Sequence, residues 1–446
     1  MLQTFHLKTF GCQMNKHDSE KIAGMLAQEG MSSVDEPKDA DAIIFMTCCV
    51  RENADERLYG QVSSLKVLKA QGDQGVKGPI IAVGGCIGQR DKGALVKKIP
   101  HVDVVFGTHN ISQLPRLLKA AFLSQGTHVE VLDDDVDEFA ADLPSAPETS
   151  YHGWLPITTG CDNFCSYCIV PYVRGREKSR TFEDVVAQAA GMVDAGVKEI
   201  TLLGQNVNSY GRDLHGKPRF AQLLAAVSNT GISRLGFATS HPKDLCDDTI
   251  EVMARKDTIL DYLHLPFQSG STAILQSMNR NYTKEYYLEL VEKVRRAIPS
   301  IALSTDIIVG YPGETEADFE DTLDVVRQAG FSSAFTFLYS PREGTPAATM
   351  ENQVPADIAQ ERFDRLVELI TQQAYRFSQS LVGSVASVLI HGLSKRDPSV
   401  LSGRDRHYKT VHLPLLPGDT ADDWVGREVD VRITEAYTWY VVGEMS

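Results

Sequence analysis

Three cysteines lie within eight residues near the middle of the chain, in the stretch GCDNFCSYC. They are Cys161, Cys165 and Cys168, and their spacing is CxxxCxxC. A structural zinc site takes four protein ligands, usually from paired CxxC units, so this set is one ligand short. Three thiolates on one loop suit a 4Fe–4S cluster instead, with the fourth iron left without a protein ligand.

The open iron of such a cluster can bind a small molecule that carries both an amine and a carboxylate. S-adenosylmethionine has both groups, and its sulfonium can take an electron from the reduced cluster. Cleavage then releases a 5′-deoxyadenosyl radical, which the protein has to position and shield. Zinc in a purely structural role is the alternative interpretation of these cysteines.

Three further cysteines, far apart in sequence, each follow a predicted strand. Cys12 follows TFHLKTF, Cys48 follows DAIIFMT and Cys86 follows PIIAVGG. Ligands bind at the edge of a parallel sheet where the strand carboxyl ends meet, so we expect these thiols to lie together. Three unrelated buried thiols are the alternative. A second cluster with an open iron at this edge would hold sulfur for insertion into a C–H bond that needs a radical to break it.

The order of predicted elements divides the chain into four regions. Residues 1–125 alternate strands and helices, which predicts an α/β domain with a parallel sheet. The acidic stretch 126–150 is expected to be a linker. Residues 151–379 contain six strand–helix units and a trailing helix, which suits a partial (βα)6 barrel with its active site at the carboxyl ends of the strands. Residues 380–446 show short alternating strands, typical of a small antiparallel β-barrel.

Polar residues that follow the predicted barrel strands are candidates for binding the cofactor. Tyr167 lies between two of the clustered cysteines and is expected near the bound cofactor. Gln205, Asn206 and Asn208 could bind the methionyl amine or the substrate, and Asp306, in DIIVGYPGET, could bind a nucleoside. Each residue alone is more often structural than ligating. Their common location at strand ends favours a shared role.

Composition limits the class of protein. The 446 residues carry a net charge of −15, and eight cysteines in a chain of this length do not make a disulfide scaffold. The sequence contains no apolar run long enough to span a membrane and shows no basic-then-apolar leader, so a cytoplasmic protein is expected. The basic segments RGREKSR and SGRDRHYKTVHL are candidate docking sites for a polyanion.

Taken together, the motifs resemble those of the radical S-adenosylmethionine methylthiotransferases over essentially the whole chain. GCQMNKHDSE, TCCVRENA and VGGCIGQ, with the central cysteine motif, look like the MiaB type, which modifies adenosine in tRNA. The resemblance implies a methylthiotransferase domain, a radical core and a C-terminal TRAM domain that binds RNA. It also implies that the cysteines of the first three motifs hold an auxiliary 4Fe–4S cluster and those of the central motif a radical 4Fe–4S cluster.

Three positions depart from the family pattern. Met46 stands where the family usually has asparagine, and Cys49 stands where serine or alanine is common. The motif alignment favours Cys48 as the ligand and makes Cys49 a bystander. Asp405 follows the Gly-Arg pair of the TRAM segment where threonine is frequent.

The resemblance implies methylthiolation of carbon 2 of an isopentenylated adenosine beside the tRNA anticodon, with two S-adenosylmethionine molecules consumed. The implied partners are tRNA and a reductant protein such as flavodoxin or ferredoxin, with the enzyme a monomer. Arg404, Arg406, Tyr408 and Lys409 are expected to bind RNA through phosphate contacts and base stacking, and the anticodon loop is expected to span the partial barrel mouth and the C-terminal barrel. The alternatives are a ribosomal-protein aspartate or threonylcarbamoyladenosine as substrate, and a non-catalytic Fe–S protein that binds RNA.

Overall fold

The computed structural model describes residues 2–49, 52–70, 78–124, 126–132 and 143–446. The chain forms two compact units. The first consists of Met1–Glu148, Thr159–Phe164 and Cys168–Lys178, and the second of Thr149–Thr158, Cys165–Tyr167 and Ser179–Ser446. Among the described residues, no helix is both long and apolar enough to cross a membrane.

The strands and helices run in chain order as follows. The strands are β1 Thr4–Thr9, β2 Ser32–Ser33, β3 Ala42–Thr47, β4 Ile80–Gly85, β5 Val104–Phe106, β6 His128–Glu130, β7 His152–Pro156, β8 Thr158–Thr159, β9 Lys178–Ser179, β10 Glu199–Leu203, β11 Arg234–Phe237, β12 Tyr262–His264, β13 Ala302–Val309, β14 Ser333–Leu338, β15 Val385–Leu393, β16 Val400–Arg404, β17 Thr410–Pro414, β18 Glu428–Ala436 and β19 Tyr440–Met445. The α-helices are α1 Gln13–Gln28, α2 Glu52–Ser64, α3 Lys66–Ala70, α4 Cys86–Asp91, α5 Gly93–Lys98, α6 Leu114–Leu123, α7 Val170–Arg174, α8 Phe182–Asp194, α9 Arg212–His215, α10 Phe220–Ser228, α11 Asp247–Arg255, α12 Thr272–Ser277, α13 Lys284–Ala297, α14 Glu316–Ala329 and α15 Ala356–Ser380.

The first unit is built on a six-stranded parallel sheet in the order β2-β1-β3-β4-β5-β6. Every residue of β3 (AIIFMT) and β4 (IIAVGG) is buried, as expected for central parallel strands covered on both faces. The predicted parallel α/β domain is therefore confirmed. The edge strands β2 and β6 escape the sequence analysis because they contain only two and three residues.

The predicted linker 126–150 differs from the structure at both ends. Its beginning forms β6, which pairs with β5. At its other end, the side chain of Lys21 donates to Leu143 O and the backbone of Ala146 donates to Glu20 O, so this segment packs along α1. Residues 133–142 of the predicted linker, and Val50 and Arg51 of the second cysteine motif, lie outside the described residues.

The second unit contains the partial barrel that the sequence predicts. Its six parallel strands form two three-stranded sheets, β7-β10-β11 and β12-β13-β14, joined by a bridge between Leu235 and Ile259. Alternate residues of β13, including Leu303 and Ile307, pack against the surrounding helices in one large apolar core. The residues between them, such as Asp306, face the barrel interior.

The C-terminal segment forms a closed five-stranded barrel in the order β15-β16-β17-β19-β18. The sequence predicts an antiparallel barrel, and four of its strand pairs are antiparallel. The pair β17–β19, which closes the barrel, is parallel. A core of apolar residues such as Val388, Leu401 and Val441 fills it.

This small barrel packs against the amino ends of the partial-barrel strands. At the start of β11, the fully buried Arg234 donates to Glu199 at the start of β10, to Glu428 and to the carbonyl oxygens of Arg404 and Asp405. The strand carboxyl ends, where the predicted site lies, are at the opposite end. Between the two ends, β10 contains five residues and β13 contains eight, which is about 17 Å and about 26 Å of strand.

Candidate active site

The first unit brings Cys12, Cys48 and Cys86 to one edge of its sheet. Cys12 precedes α1 just after β1, Cys48 follows β3 directly, and Cys86 opens α4 after β4. Because β1, β3 and β4 are adjacent parallel strands, all three cysteines lie at the carboxyl edge. The placement agrees with the sequence prediction, while their role as cluster ligands stays a prediction.

Glycines allow the three loops to approach each other closely. Gly11 has φ +111°, and a Cβ atom there would lie 2.2 Å from the Cβ of Cys48. Gly85 has φ +84°, and a Cβ atom there would lie 2.7 Å from Thr47 O. Any other residue at either position would both strain the backbone and push the loops apart.

Two polar side chains tie these loops together. Asn15 is fully buried, and its Nδ2 donates to Phe10 O at 2.7 Å and to Thr47 O at 2.8 Å, which joins the first two cysteine loops. The Thr47 hydroxyl donates to Gly84 O and accepts from the backbone N–H of Ile87, which joins the second and third. Asn15 and Thr47 thus fix the backbone of the three cysteine loops through these hydrogen bonds.

Electrostatics favour thiolates at this edge. The hydrogen bond with Cys48 and the nearby guanidinium of Arg174 lower the pKa of Cys12 to about 6, against the opposing effect of burial. The hydrogen bond with Cys49 and the same guanidinium lower the pKa of Cys86 to about 7. Arg174 itself is held by Asn15 Oδ1 and Asp18 Oδ2, both at 2.9 Å. Thiolate is the form that binds iron, so the donor set fits a cluster.

The neighbouring thiol of Cys49 has a different environment. It is fully buried in the apolar cluster on one face of the sheet, and its hydrogen bond with Cys86, followed by burial, raises its pKa well above the usual value. Cys49 therefore stays protonated and donates to Cys86. This agrees with its assignment as a bystander.

Within the described residues, no three His, Cys, Asp or Glu side chains converge closely enough to hold a single metal ion. A 4Fe–4S cluster places each thiolate on a different iron, so its cysteines do not have to converge on one point.

The loop of the central motif is divided between the two units. Cys161 and Cys168 belong to the first unit and Cys165 to the second. In the first unit, the backbone N–H of Cys161 donates to Gly175 O at 3.2 Å, so the start of the motif is held against the segment after α7. Cys161 and Cys165 are buried, and Cys168 is half-buried.

In the second unit, Cys165 lies beside Arg280, a residue that the sequence analysis did not select. Nη1 of Arg280 lies 3.8 Å from the Cys165 sulfur and donates to the hydroxyl of Tyr167 at 3.3 Å. Tyr167, predicted to lie near the cofactor, is half-buried at this place. The signal for Arg280 is absent from the sequence because a lone arginine in MNRNYT does not reveal which distant loop it contacts.

Several buried polar atoms at the carboxyl ends of the barrel strands have no hydrogen-bond partner among the described residues. Those predicted from the sequence are Gln205 Oε1, Asn206 Oδ1 and Asn208 Nδ2, and two more are Thr158 Oγ1 and Ser240 Oγ. Buried polar groups are normally paired, so such a group of orphans points to a polar ligand. The amide nitrogen of Asn206 donates to Asp244 Oδ2, and this bond fixes the orientation of the Asn206 amide oxygen. These residues fit S-adenosylmethionine, with its amine, carboxylate and ribose.

Asp306 lies in the barrel interior, in the middle of β13 rather than at its end. It pairs in register with Phe335 on β14, and its Oδ1 lies 3.5 Å from Nε2 of His264 on β12. Phe335 is 50% exposed although it belongs to a barrel strand. The three side chains form an accessible patch that is partly apolar and partly polar.

The four residues predicted to bind RNA all make contacts within the second unit. The Arg404 guanidinium lies over the Tyr408 ring at 4.1 Å, and that ring stacks on Tyr262 of β12. Arg406 donates to the carbonyl oxygens of Asp257 and Ile259, and the buried Lys409 donates to Thr438 O. Burial also lowers the pKa of Lys409 to about 8. These contacts hold the small barrel in place, and RNA binding by the four residues stays a prediction.

Three family models match successive parts of the chain. Residues 4–107 match the Uncharacterized protein family UPF0004, residues 155–326 the Radical SAM superfamily, and residues 379–445 the TRAM domain. A solved structure of the radical S-adenosylmethionine methyltransferase TsrM from Kitasatospora setae has a TM-score of 0.55 with 12% identity, covering 86% of this chain and 78% of that one. That likeness concerns the fold alone.

Curated relatives match along nearly their whole length. The tRNA-2-methylthio-N(6)-dimethylallyladenosine synthase of Acetivibrio thermocellus is 47% identical over 98% of this chain and 90% of its own. The synthase of the same name from Carboxydothermus hydrogenoformans is 46% identical over 99% of both chains. This chain belongs to the family of tRNA-2-methylthio-N(6)-dimethylallyladenosine synthases.

Proposed function

We propose that this protein is a radical S-adenosylmethionine enzyme that adds a methylthio group to carbon 2 of an N6-isopentenylated adenosine in tRNA. The observation that carries the proposal is the combination of the CxxxCxxC loop with a second three-cysteine set at one sheet edge. The identity of nearly half the residues to synthases with this activity in their name supports it.

The auxiliary site would be held by Cys12, Cys48 and Cys86, and the radical site by Cys161, Cys165 and Cys168. When bound, the clusters and S-adenosylmethionine supply the sulfur, the methyl group and the radical that breaks the C–H bond. The chain's own contribution at the auxiliary site is to keep the thiols of Cys12 and Cys86 deprotonated, through the charge of Arg174 and the hydrogen bond from Cys49 to Cys86. The second cluster is supported by this thiol chemistry.

At the radical site, the protein's residues bind and orient. The unpartnered oxygens of Gln205 and Asn206 can accept from the methionyl ammonium, and Asn208 Nδ2 can donate to a carboxylate or ribose oxygen. Asn206 and Asn208 are buried in the strand-end loop, and their burial keeps water away from the reacting groups.

The target base has to leave its stack to reach a site inside the barrel. The interior patch offers it suitable chemistry: the Asp306 carboxylate can accept from the N6–H of adenine, and the half-exposed Phe335 can cover the isopentenyl group. We assign Asp306 to the nucleoside on this ground. Phe335→Ala should then weaken binding of isopentenylated RNA more than binding of unmodified RNA, whereas Leu338→Ala, on the opposite face of the same strand, should not.

A tRNA substrate requires a second binding surface on the enzyme, and the radical reaction requires an electron donor. The C-terminal barrel would bind the RNA some distance from the reacting base, and the half-exposed Tyr437 and Trp439, two residues apart in the turn between β18 and β19, offer stacking surfaces. A low-potential electron carrier such as flavodoxin or ferredoxin would supply electrons. We expect a monomer that works in the cytoplasm, where tRNA is modified.

The direct test is anaerobic reconstitution with iron and sulfide, followed by reductant, S-adenosylmethionine and an isopentenylated anticodon stem-loop. The expected result is two 4Fe–4S clusters per chain and the mass gain of one methylthio group on the RNA. The same RNA without the isopentenyl group is the control. Gain on a ribosomal-protein aspartate or on threonylcarbamoyladenosine instead would move the substrate to a sibling branch. Folding that depends on the metal, without S-adenosylmethionine cleavage, would support a non-catalytic RNA-binding protein.

A further inference from the structure

Arg280 is a buried cation without an anionic partner in the part of the chain that the structure describes. It is 4% exposed, and no carboxylate lies within ion-pair distance of its guanidinium. Three other buried arginines pair with a carboxylate: Arg174 with Asp18, Arg234 with Glu199 and Arg362 with Glu314. An unpaired buried charge is strongly unfavourable, so Arg280 indicates that an anion binds beside it.

The guanidinium is fixed in place by neutral groups. Nη2 donates to Pro266 O at 2.7 Å, and Nε donates to the hydroxyl of Tyr282 at 2.8 Å. The remaining nitrogen, Nη1, is the one that points at Cys165 and Tyr167. Since its other contacts hold the plane of the guanidinium, Arg280 cannot turn away to solvent.

The segment that carries Cys165 is fastened to the loop that carries Arg280. The backbone N–H of Ser166 donates to Met278 O at 3.1 Å, and its hydroxyl donates to Ser277 O at 2.8 Å. Asn279, the residue before the arginine, has φ +57°, a left-handed conformation that asparagine adopts more readily than most residues. The two loops are therefore fastened to each other by Ser166, while the guanidinium is held in place by Pro266 and Tyr282.

We propose that Arg280 is a positioning residue and the counter-charge of the radical cluster. Its N–H donates to the Cys165 sulfur, and its positive charge stabilises the reduced cluster, which carries one more negative charge than the oxidised one. Hydrogen bonds to the sulfurs and the local net charge are among the factors that set cluster potentials. The role of Arg280 is thus to raise the reduction potential, so that a cellular one-electron donor can reduce the cluster. This inference rests on the radical chemistry proposed above.

The test is an anaerobic redox titration of the holoenzyme, followed by electron paramagnetic resonance. The radical cluster is the one whose spectrum changes when S-adenosylmethionine is added. In Arg280→Gln we expect the ratio of reduced to oxidised radical cluster at the wild-type midpoint to fall at least tenfold, a lowering of about 59 mV for one electron. Arg280→Lys, which keeps the charge, should give a smaller lowering. Arg295→Gln, which removes a guanidinium bound to the carbonyl oxygens of Ala329 and Gly330, is the control and should leave the potential unchanged.

Each outcome has a defined meaning. An unchanged potential in Arg280→Gln with weaker S-adenosylmethionine binding by equilibrium dialysis would overturn the proposal and assign the arginine to the cofactor carboxylate. An unchanged potential with unchanged binding would reduce its role to packing. If Arg280→Gln does not retain the cluster, the neutral variant Arg280→Met is titrated in its place, and an unchanged potential in that variant overturns the proposal. A wild-type enzyme without any cluster that responds to S-adenosylmethionine would instead refute the proposed function.

Discussion

The ion pair between Arg174 and Asp18 can be broken by Arg174→Met, which keeps much of the side-chain volume and removes the charge. Both side chains are buried, at 7% and 12% exposure, and their Nη2–Oδ2 distance is 2.9 Å. Removing one partner of a buried pair costs about 3–5 kcal/mol because the other charge is left unpaired. We expect the first unit to lose about this much stability at pH 8. The double variant Asp18→Asn/Arg174→Met should recover most of it, because only hydrogen bonds worth about 1 kcal/mol each remain lost.

The penalty of Arg174→Met should depend on pH. Burial raises the pKa of Asp18, and Arg174 opposes that rise. Without the guanidinium the folded-state pKa rises further above the unfolded value. An unpaired carboxylate then destabilises the fold above its folded pKa, and this cost fades as pH falls toward the unfolded pKa and the group protonates. The loss should therefore be smaller at pH 5 than at pH 8.

The measurement has to report on the first unit, and tryptophan fluorescence does not. All three tryptophans, Trp154, Trp424 and Trp439, belong to the second unit. Hydrogen–deuterium exchange of the amides in β3 and β4 gives the free energy of opening of the first unit directly. Exchange in Arg174→Met at the wild-type rate, or a double variant as unstable as the single one, would refute the assignment of Arg174 and Asp18 as a buried pair.

A chemical readout checks the same guanidinium independently. In the metal-free protein, the rate of alkylation of Cys12 by iodoacetamide should titrate with a midpoint near its pKa of about 6. Arg174→Met should move this midpoint up. Asp18→Asn should move it down, since the carboxylate raises the pKa of Cys12. Equal midpoints in the three proteins would show that the hydrogen bond with Cys48 acts alone.

Three further predictions concern the cluster sites and the small barrel. Gly11→Ala should prevent assembly of the auxiliary cluster, because the added Cβ would lie 2.2 Å from the Cβ of Cys48. The radical cluster and S-adenosylmethionine cleavage should persist, so iron and sulfide per chain should fall by half. Full iron loading would contradict the close packing of the two loops. Cys165→Ala should abolish S-adenosylmethionine cleavage, whereas Cys86→Ala should leave cleavage active but uncoupled from sulfur insertion. Mass spectrometry of the products distinguishes the two variants. Full methylthiolation by Cys86→Ala would exclude a role of Cys86 in sulfur delivery. Arg406→Glu should lower the melting temperature of the second unit, because it loses two carbonyl contacts and places a carboxylate near Asp261. If Arg406 also contacts an RNA phosphate, as the sequence predicts, the salt dependence of RNA binding should become weaker in this variant. An unchanged melting temperature would contradict the packing role.

The sequence predicts those parts of the site that depend on topology alone. Parallel strands place their carboxyl ends together, so Cys12, Cys48 and Cys86 could be brought to one edge without any coordinates. The same rule locates Gln205 and Asn206 correctly at the strand ends.

What the sequence does not predict depends on which distant side chains meet. Arg174 appears in the sequence only as one residue of a basic segment, yet the fold buries it beside Asp18. Arg280 has no motif of its own. Tyr408 and Lys409 have the composition of an RNA-binding segment, and the sequence gives no sign that the Tyr408 ring also stacks on Tyr262 or that Lys409 donates to Thr438 O.

The stacking of Tyr408 on Tyr262 has a practical consequence for experiments on the C-terminal barrel. Tyr262 and His264 both hydrogen-bond to Ser304, so the small barrel packs directly beneath the side chains proposed to contact the base. A truncated chain that lacks the small barrel would expose Tyr262 and leave the Arg234–Glu199 pair open to water. Loss of activity after truncation would then reflect solvent exposure of the partial barrel as well as the loss of RNA contacts. Substitutions at the solvent-facing Trp439 remove a candidate RNA contact alone and therefore separate the two effects.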